Sequence, residues 1–557
     1  MIIRDYRFDP SAEDEIRRSR YGSDWPVVYI LNNDKEAYIG ETVDAARRLS
    51  QHLQNQERRR LKNAHIISDD DYNKSVVLDL ESFLIKYMSS DEKYRLQNGN
   101  GGISNHNYYN RTVYEKQFRK VWNALFRKNL VQHSLTEIEN SDLFKYSPYK
   151  ALTPDQKDAL YEILRILHDD RQAGEKSTIL VEGGAGTGKT VLAIYLMKLL
   201  SEFGTMDEEL GDNEEEFDTA RMVREIGELR FAFVVPMQSL RKTVKKVFKT
   251  VKGLSVKMVL SPLEVGKNYP KDYFDLLIVD EAHRLRQRKA LSQYPAFDKN
   301  NERLGFGNEG TELDWILKCS KHQLLFYDPL QSVKPSDIDR EQFQTKVQSQ
   351  KLTRTMLTSQ LRCKGGSDYV RYIRQMLSDE PPRERRTFGE YDIRLFDDVQ
   401  EMAEAIRERD AECGLSRITA GYSWEWVTKG KKKIDPKVDY DIEINGHRFI
   451  WNSVDKDWIN SKNAINEVGC IHTVQGYDLN YCGVIFGQEI WYDRRTGRIE
   501  VDMKRYKDRP GKTALSDPDA LRNYIFNIYL TMMTRGICGT YVYVCDDVLR
   551  EYMRSYL

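Results

Sequence analysis

The sequence of 557 residues lacks three features that would narrow its class at once: a long apolar run, paired cysteines and a net charge. No apolar run approaches the roughly 18 residues that a membrane-spanning helix needs. The first residues, MIIRDYRFDPSAEDEIRR, contain no apolar segment of the kind found in a secretory signal. We therefore expect no membrane partner and a cytoplasmic location.

The cysteines and the charge balance exclude two further assignments. The seven cysteines are scattered without a Cys-x-x-Cys pair, as expected for unpaired thiols in a reducing compartment, and they predict no structural zinc. The 86 basic residues equal the 86 acidic ones, so bulk charge does not indicate a nucleic-acid partner. Such a partner has to be inferred from local patches.

The length and the strand pattern predict an α/β protein of several domains, because 557 residues are too many for one hydrophobic core. Residues 1–135 combine short β-rich runs with helical segments, and residues 136–150 form a predicted connector. Near-continuous apolar strands then alternate with helices, which is typical of parallel sheets covered on both faces. We predict two such domains, at 151–348 and 349–557, with the boundary near 345–355.

The first domain begins with a predicted hairpin, in which the runs VVYIL and EAYIG flank the turn NNDK. The segment TVDAARRLSQHLQNQ follows with helical spacing and begins near Thr42 or Asp44. The segment LDLESFLIKYM at 78–88 predicts a second helix, and a loop rich in Gly and Asn occupies 97–107.

A phosphate-binding loop follows in the second domain. GGAGTGKT lies at 183–190, between the strand TILVE and the helix TVLAIYLMKLL. Its glycines let backbone N–H groups surround phosphate oxygens at the positive end of a helix. In this pattern a lysine meets the β- and γ-phosphates and a hydroxyl holds Mg²⁺. The sequence predicts ATP and Mg²⁺ as cofactors, bound by Gly183, Gly186, Gly188, Lys189 and Thr190.

The segment LLIVDEAH at 276–283 supplies the acidic half of that site. Asp280 comes at the end of an apolar strand, where its carboxylate is predicted to hold Mg²⁺. Glu281 is predicted to orient and deprotonate the attacking water. Acids that merely cap a helix are a poor alternative beside a phosphate-binding loop.

From about residue 150 onward, further motifs occur in the order seen in superfamily I helicases, and the region resembles the Schlafen-type helicase/ATPase family. The matching stretches are LTPDQ, VVPMQSLRKTV, FYDPLQSVKP, LTSQLRCKGGSDYV, CIHTVQGYDLNYCGVIFG and IYLTMMTRGICGTYVYV. The resemblance implies two RecA-like domains and further nucleotide-binding residues: Gln156, Gln331, Arg362, Gln475, Gly476 and Arg535. Arg535 is also implied as catalytic, because a guanidinium neutralises γ-phosphate charge without deprotonating.

The stretch VVYILNNDKEAYIGETVDAARRLSQH resembles the GIY-YIG endonuclease module. Its first triplet ends at Tyr29 and its second begins at Tyr38. The family's catalytic arginine falls on Arg48 and a common histidine falls on His52. Residues i and i+4 share one helix face, so these two side chains can face one phosphate. The family's metal-binding carboxylate falls on Glu81 in the predicted second helix.

The resemblance implies phosphodiester hydrolysis assisted by one divalent ion, Mg²⁺ or Mn²⁺, held by Glu81. Arg48 would neutralise charge in the transition state. Tyr29 is implied as a general base if nearby cations depress its pKa. Tyr38 and His52 would position water or phosphate.

Some details of the module stay open. Asn98 is a candidate to support the metal-binding carboxylate, and either Lys62 or His65 could add a positive or acid/base group. The first triplet lacks its glycine, and the hairpin is shorter than usual. Arg47 adjoins the predicted catalytic arginine, so the assignment could be off by one residue.

Two basic runs and two tryptophans are candidate nucleic-acid contacts. ERRRLK at 57–62 and RKTVKKVFKTVKG at 241–253 could follow phosphates or form solvated faces. Trp424 and Trp426 could stack on bases or pack in the core. The acidic run at 206–218 predicts a solvated loop.

These patterns predict an ATP-dependent nuclease-helicase acting on nucleic acid, with DNA favoured and RNA open. Proteins that combine these modules resemble bacterial restriction or anti-phage factors, so a homo-oligomer or a defence partner protein is also open. Two alternatives remain. One is a nucleotide-switched nuclease without unwinding activity, and the other is an ATPase whose front module only binds nucleic acid.

Overall fold

The chain is a mixed α/β protein, in which a small mixed sheet precedes two parallel sheets. This computed structural model describes residues 1–98, 108–149, 152–184, 186–203, 214–289, 291, 294–329, 336–360, 363–431, 434–435, 438–454, 458–474, 477–508 and 517–557. The predicted fold class, a small α/β domain followed by two parallel-sheet domains, is confirmed.

The first sheet contains the predicted hairpin. Within residues 1–98 its five strands are β1 (Ile2–Arg7), β2 (Val27–Asn32), β3 (Glu36–Thr42), β4 (Asn63–Ser68) and β5 (Arg95–Leu96). They are ordered β1-β4-β2-β3-β5, and all neighbours are antiparallel except β3 and β5. The hairpin is confirmed as β2 and β3, whose register pairs Tyr29 with Gly40.

The helices of this region are α1 (Ala12–Arg18), α2 (Ala45–Gln54), α3 (Lys74–Met88), α4 (Arg111–Arg127), α5 (Leu135–Asn140) and α6 (Asp142–Lys145). Of the two candidate start residues for α2, Asp44 is the cap, because its side chain accepts a hydrogen bond from the Arg47 N–H. Helix α3 begins at Lys74 rather than at residue 78, because Asn73 caps an earlier turn. Helix α3 packs against β3 and β2.

The second sheet holds the phosphate-binding loop. Its strands, among the described residues, are β6 (Ser177–Gly183), β7 (Phe231–Val234), β8 (Val259–Leu260), β9 (Phe274–Val279), β10 (Ser320–Tyr327) and β11 (Lys351–Leu357). They run parallel in the order β11-β6-β10-β9-β7-β8. Strand β11 lies beyond the predicted boundary at 348 yet pairs with β6, so this sheet extends further along the chain. Its half-exposed, polar edge pattern explains why the sequence did not indicate it.

The helices between residues 154 and 347 are α7 (Pro154–Ala173), α8 (Lys189–Ser201), α9 (Glu214–Ile226), α10 (Gln238–Thr250), α11 (Pro262–Asn268), α12 (Tyr294–Leu304), α13 (Glu312–Cys319) and α14 (Arg340–Val347). Because the strands are parallel, their carboxyl ends meet at one edge, where ligands bind in open α/β sheets. The glycine loop after β6 and Asp280 after β9 both lie at this edge.

The third sheet is also parallel, with the described order β12-β20-β17-β13-β16. Its strands are β12 (Asp392–Phe396), β13 (Ser416–Ala420), β16 (Val468–Gly469), β17 (Leu479–Phe486) and β20 (Gly536–Val544). Two hairpins accompany it, β14 (Ile442–Ile444) with β15 (His447–Phe449) and β18 (Ile490–Asp493) with β19 (Arg498–Val501). Its helices are α15 (Gly366–Met376), α16 (Val399–Cys413), α17 (Ile471–Val474), α18 (Pro518–Met533) and α19 (Asp547–Arg554).

The chain forms two compact units. One contains residues 1–154, 190–227 and 242–258, and the other contains residues 155–189, 228–241 and 259–557. No helix in the described stretches is both long and apolar enough to cross a bilayer.

Candidate active sites

A glycine of the second triplet makes room for the tyrosine of the first. Gly40 lies opposite Tyr29 in the β2–β3 register. A Cβ atom at residue 40 would lie 2.2 Å from the Tyr29 hydroxyl oxygen, far inside van der Waals contact. Because Tyr29 is fully buried, it has no free space into which it could move. The glycine is therefore required by close packing against the tyrosine.

Tyr29, Tyr38 and His52 form a cluster contributed by β2, β3 and α2. The Tyr29 hydroxyl oxygen lies 2.7 Å from Nε2 of His52, and the centroids of the Tyr38 and His52 rings are 5.1 Å apart. Burial, followed by Tyr38, raises the pKa of Tyr29 more than the nearby Arg48 lowers it. The depressed pKa that a general base would need is therefore absent, and Tyr29 is a neutral phenol at neutral pH.

Arg48 extends from α2 toward this cluster. Burial lowers the pKa of Arg48, but Tyr29 and Tyr38 raise it overall, so the guanidinium acts directly on both phenols. Arg48 also donates a hydrogen bond to Oε1 of Gln51 at 3.2 Å. Arg47 and Arg48 are both exposed, but the charge that acts on the two tyrosines is that of Arg48.

Glu81 faces the cluster from α3. Burial above all, and then the negative charge of Glu41, raise the pKa of the Glu81 carboxyl to about 8, although Lys74 and Arg48 act in the opposite direction. Glu41 is itself ion-paired with Lys74 at 2.5 Å. The charge of Glu81 in turn raises the pKa of Tyr29, so both groups belong to one site.

The two neighbouring carboxylates, Glu81 and Glu41, fit a hard divalent cation. Mg²⁺ prefers oxygen ligands and is commonly held by one or two carboxylates, with water and phosphate completing the shell. A cation would also stabilise the ionised form of Glu81, which burial and Glu41 disfavour. No group of three or more His, Cys, Asp or Glu that could hold a metal occurs in the described parts of the chain.

The supporting candidates from the sequence have other contacts. Asn98 bonds both backbone groups of Ile39, accepting from its N–H at 3.1 Å and donating to its carbonyl at 2.8 Å, so it stabilises the second triplet. Nδ1 of His65 lies 2.8 Å from Asp5, and its Nε2 lies 2.9 Å from Asn32. Both ring nitrogens are therefore engaged within the sheet.

Arg58 belongs to this site although the sequence did not indicate it. It begins the 3₁₀ turn Arg58–Arg60, and its Nη1 lies 2.7 Å from Nδ1 of His52. Its guanidinium carbon also lies 3.9 Å from the centre of the Tyr38 ring. The run ERRRLK predicted either phosphate contacts or a solvated face. Its residues show no regular spacing that would have indicated the contact of Arg58 with His52 in α2. Lys62 in the same run is exposed.

The phosphate-binding loop has the backbone that its glycines predict. Gly186, with φ of 84°, and Gly188, with φ of 77°, adopt the left-handed conformation that glycine favours. The buried Lys189 ammonium donates to two loop carbonyl groups at 2.6 and 2.8 Å and lies 3.9 Å from Asp328. Helix α8 begins at Lys189, so Thr190 lies in its first turn.

The acidic half of this site follows β9. Asp280 is fully buried, and Glu281 adopts a left-handed conformation with φ of 49°, which is uncommon for a residue other than glycine. Oε2 of Glu281 lies 2.9 Å from Nε2 of His283, while the Asp328 N–H donates to Nδ1 of that histidine at 3.3 Å. Burial raises the pKa of Glu281, but His283 and Lys189 hold it below its usual value.

The remaining predicted nucleotide contacts are only partly described. The Gln156 amide donates to the carbonyl oxygen of Thr187 at 3.1 Å, so it contacts the loop itself, and its contact with adenine stays a prediction. Arg535 is buried and donates to the Tyr477 carbonyl at 3.3 Å. Four predicted residues lie outside the described part of the chain: Gln331, Arg362, Gln475 and Gly476.

The two candidate tryptophans lie beside a hydrophobic core. The Trp424 ring is 6.3 Å from the ring of the buried Trp451, and both Trp424 and Trp426 pack against the same cluster. The Lys429 ammonium lies 5.0 Å from the centre of the Trp426 ring. These contacts favour core packing over base stacking.

A phosphate-binding loop followed by paired acids at the edge of a parallel sheet is typical of P-loop NTPases, and a Tyr-His-Glu cluster precedes it in the chain. Residues 176–546, more than half of the chain, match the family described as Schlafen group 3, DNA/RNA helicase domain. Residues 26–95 match the GIY-YIG catalytic domain. The chain therefore belongs to the Schlafen group 3 helicase family and carries a GIY-YIG nuclease domain ahead of it, which confirms the predicted fusion.

Individual relatives are distant. The chain is 26% identical over 408 residues to the uncharacterized protein YPL245W of Saccharomyces cerevisiae, covering 67% of this chain and 82% of that protein. A DNA replication initiation factor is 12% identical with a TM-score of 0.20, covering 49% of this chain and 66% of its own. A hypothetical ATP-dependent RNA helicase from Sulfolobus tokodaii is 13% identical with a TM-score of 0.17, and the match covers 72% of this chain and 96% of that one. At these TM-scores the two structures support no conclusion about function.

Proposed function

We propose that the chain is an ATP-dependent nuclease-helicase that hydrolyses phosphodiester bonds in nucleic acid, with DNA as the favoured substrate. The observation that carries this proposal is the convergence of Tyr29, Tyr38, Arg48, His52 and Glu81 from two strands and two helices. A cation, a partly buried carboxyl and neutral hydrogen-bonding groups at one site suit phosphate chemistry.

Each group of the nuclease site has a proposed role. Arg48 neutralises charge that develops on the scissile phosphate. Glu81 would hold Mg²⁺ or Mn²⁺, and the bound ion would polarise the phosphate and stabilise the leaving oxygen. Tyr38 and His52 position water or phosphate. Because the pKa of Tyr29 is raised, its proposed role is to donate a hydrogen bond rather than to act as the base.

At the ATPase site, Lys189 and the loop glycines would bind the phosphates, while Thr190 and Asp280 would hold Mg²⁺. Glu281 would orient and deprotonate the attacking water, and its lowered pKa keeps it ionised at neutral pH. Further nucleotide contacts in this proposal come from these residues: Gln156, Gln331, Arg362, Gln475, Gly476 and Arg535.

One observation favours a second candidate function, a nucleotide-switched nuclease that does not unwind. Residues 242–258, which continue the motif VVPMQSLRKTV, belong to the same compact unit as residues 1–154. Within that unit Lys252 is ion-paired with Glu57 at 3.1 Å. Since Glu57 directly precedes Arg58, a movement of residues 242–258 with nucleotide state would act on the nuclease site.

The cellular setting is part of the proposal and rests on domain combination alone. A nuclease joined to an ATPase suits restriction or anti-phage defence in the cytoplasm, with a second copy or a defence protein as partner. The domain division at 1–135, 136–150, 151–348 and 349–557 also stays a proposal, with β11 as a reason to move the last boundary beyond residue 357.

The testing experiment compares cleavage of single-stranded DNA, duplex DNA and RNA with Mg²⁺, with and without ATP. Wild type, Glu81→Gln and Lys189→Ala are assayed side by side, together with Glu115→Gln, which removes a carboxylate from the exposed side of α4. We expect Glu81→Gln to abolish cleavage, Lys189→Ala to lose only the response to ATP, and Glu115→Gln to match wild type.

The same samples distinguish the candidates. Strand displacement from a partial duplex in the presence of ATP supports the helicase, whereas ATP-sensitive cleavage without displacement supports the switch. Cleavage by all four proteins alike would indicate a contaminating nuclease. Turnover of ATP on nucleic acid without cleavage by wild type would mean that the front domain only binds.

A further inference from the structure

Arg58 contacts His52 and Tyr38, and His52 in turn contacts Tyr29. The Arg58 guanidinium lies 2.7 Å from Nδ1 of His52 and packs over the Tyr38 ring with 3.9 Å between its carbon and the ring centre. Nε2 of the same histidine lies 2.7 Å from the Tyr29 hydroxyl. Both nitrogens of the buried imidazole are thus engaged, one by a cation and one by a phenol.

The direction of these hydrogen bonds follows from their chemistry. A guanidinium only donates, so Nδ1 of His52 must accept from Arg58. A neutral imidazole carries one hydrogen, which must then be on Nε2 and be donated to the Tyr29 oxygen. The hydrogen of the Tyr29 hydroxyl therefore cannot point to His52.

The surroundings of His52 keep its imidazole neutral. The charged groups facing it are Arg58 from the 3₁₀ turn and Arg48 from its own helix, while Tyr29 and Tyr38 face it from the strands. Burial and then the two guanidinium groups lower the pKa of His52 to about 3. At neutral pH only the choice of tautomer remains, and Arg58 makes that choice.

We propose that Arg58 is a positioning residue that fixes His52 in its Nε2–H tautomer and so directs the Tyr29 hydroxyl hydrogen away from the imidazole, where Tyr38, a phosphate or water can accept it. This inference rests on the proposed nuclease function. Arg58 itself touches neither substrate nor metal in the proposal. Its effect passes through His52 to Tyr29, which then donates to a phosphate oxygen or to the attacking water.

The test uses the full chain with Arg58→Met, Arg58→Lys and a matched control, Arg59→Met. Arg59 is the next residue of the same turn, is exposed, and carries the same charge. The first measurement is the imidazole ¹⁵N pattern of His52 in protein labelled with ¹⁵N-histidine, assigned with His52→Gln. We expect the Nε2–H pattern in wild type, Arg58→Lys and Arg59→Met, and its loss in Arg58→Met.

The second measurement is single-turnover cleavage of DNA with Mg²⁺ between pH 5 and pH 8. We expect Arg58→Met to cleave about 10- to 100-fold more slowly, as when an orienting partner of a catalytic histidine is lost, and Arg58→Lys to recover most of that rate. The cleavage rate of Arg58→Met should also fall toward pH 5, because removing a positive charge lets the pKa of His52 rise toward its ordinary value. Thermal unfolding and ATP hydrolysis report whether each variant is folded.

An unchanged His52 pattern in a folded Arg58→Met protein would overturn the proposal. So would an equal loss of cleavage, with no further fall toward pH 5, in Arg58→Met and Arg59→Met, because the run would then act only as cations along phosphates. If wild type does not cleave any substrate, the proposed function fails, while the ¹⁵N comparison still decides whether Arg58 sets the tautomer.

Discussion

Glu81 and Glu281 occupy opposite electrostatic surroundings. At the nuclease site, burial and the neighbouring Glu41 raise the pKa of Glu81 to about 8. At the ATPase site, His283 and Lys189 hold the pKa of Glu281 below its usual value despite burial. A carboxylate beside another acid gains from binding a cation, whereas a carboxylate among cations stays ionised at neutral pH. The neighbouring residues therefore shift the pKa values of these two glutamates in opposite directions.

Each site also contains a buried histidine whose Nδ1 faces a hydrogen-bond donor. Arg58 occupies Nδ1 of His52, and the backbone N–H of Asp328 occupies Nδ1 of His283. Nε2 of each histidine lies close to a further polar group of its site, 2.7 Å from the Tyr29 hydroxyl oxygen in one and 2.9 Å from Oε2 of Glu281 in the other. The donor to His52 is the side chain of Arg58, so a substitution can remove it. The donor to His283 is a backbone N–H, which no substitution of a side chain removes.

The largest expected effect separates the two glutamates. Glu281→Gln removes the proposed base, and we expect ATP hydrolysis to fall by about a hundred- to ten-thousand-fold. ATP binding should persist, because the phosphate-binding loop is untouched. Steady-state hydrolysis and nucleotide binding are measured with Glu302→Gln, an exposed glutamate in α12, as the control. ATP hydrolysis by Glu281→Gln at the wild-type rate would show that Glu281 is not the base.

The next effect tests how closely the nuclease site is packed. Gly40→Ala places a Cβ atom 2.2 Å from the Tyr29 hydroxyl oxygen. We expect cleavage to fall by about 100-fold, the loss that a displacement of about 1 Å causes in an active site, while ATP hydrolysis is unchanged. The control is Gly307→Ala, where an added Cβ meets nothing within 4 Å. Normal cleavage by Gly40→Ala would show that Tyr29 does not need its observed position.

A smaller effect concerns stability in acid. The pKa of His52 is about 3 in the folded chain, against an ordinary value of about 6.5. Between these values the unfolded state binds one proton more, so this contribution to stability is complete above pH 6.5 and is lost as the pH falls toward 3. About 2 kcal/mol should be lost by pH 5, at about 1.4 kcal/mol per pKa unit.

Urea unfolding of wild type and His52→Gln at pH 7 and pH 5 measures this loss. We expect wild type to lose stability faster than His52→Gln as the pH falls. The partly exposed His447→Gln is the control, since it removes a histidine elsewhere in the chain. Equal pH dependence in wild type and His52→Gln would mean that His52 is not held neutral.

The smallest effect concerns the ion pair beside the nuclease turn. Lys252 and Glu57 are both exposed, so Lys252→Gln should lower the free energy of unfolding by less than about 1 kcal/mol. The substitution also tests the switch. If the nuclease is switched by nucleotide, ATP should change the cleavage rate less in Lys252→Gln than in wild type, whereas the control Lys249→Gln should respond to ATP as wild type does. An unaltered response to ATP would argue against this route between the sites.

The sequence predicted the frame of both sites because their motifs are local. The loop at 183–190 and the acids after β9 combine a periodic strand with fixed spacing, and both are found where expected. The spacing from Tyr38 to Arg48 and His52 is likewise set by one hairpin and one helix. Such patterns depend on backbone geometry that a few adjacent residues determine.

The parts that were missed depend on contacts without local periodicity. Arg58 reaches His52 and Tyr38 across a short 3₁₀ turn, and Glu41 influences Glu81 across the gap between β3 and α3. The pKa of Tyr29 was expected to be lowered by cations, but burial outweighs them. Burial is a property of the assembled core, so the charges that are nearby in the sequence could not predict whether the pKa of Tyr29 is raised or lowered.

The most direct test of the central claim is one preparation of Glu81→Gln assayed for both activities. If the chain holds two chemically separate sites, Mg²⁺-dependent cleavage of DNA falls by at least about a hundredfold, and ATP hydrolysis by the same sample stays at the wild-type rate. Persistent cleavage by Glu81→Gln, with wild type equally active, would contradict the assignment of the nuclease site.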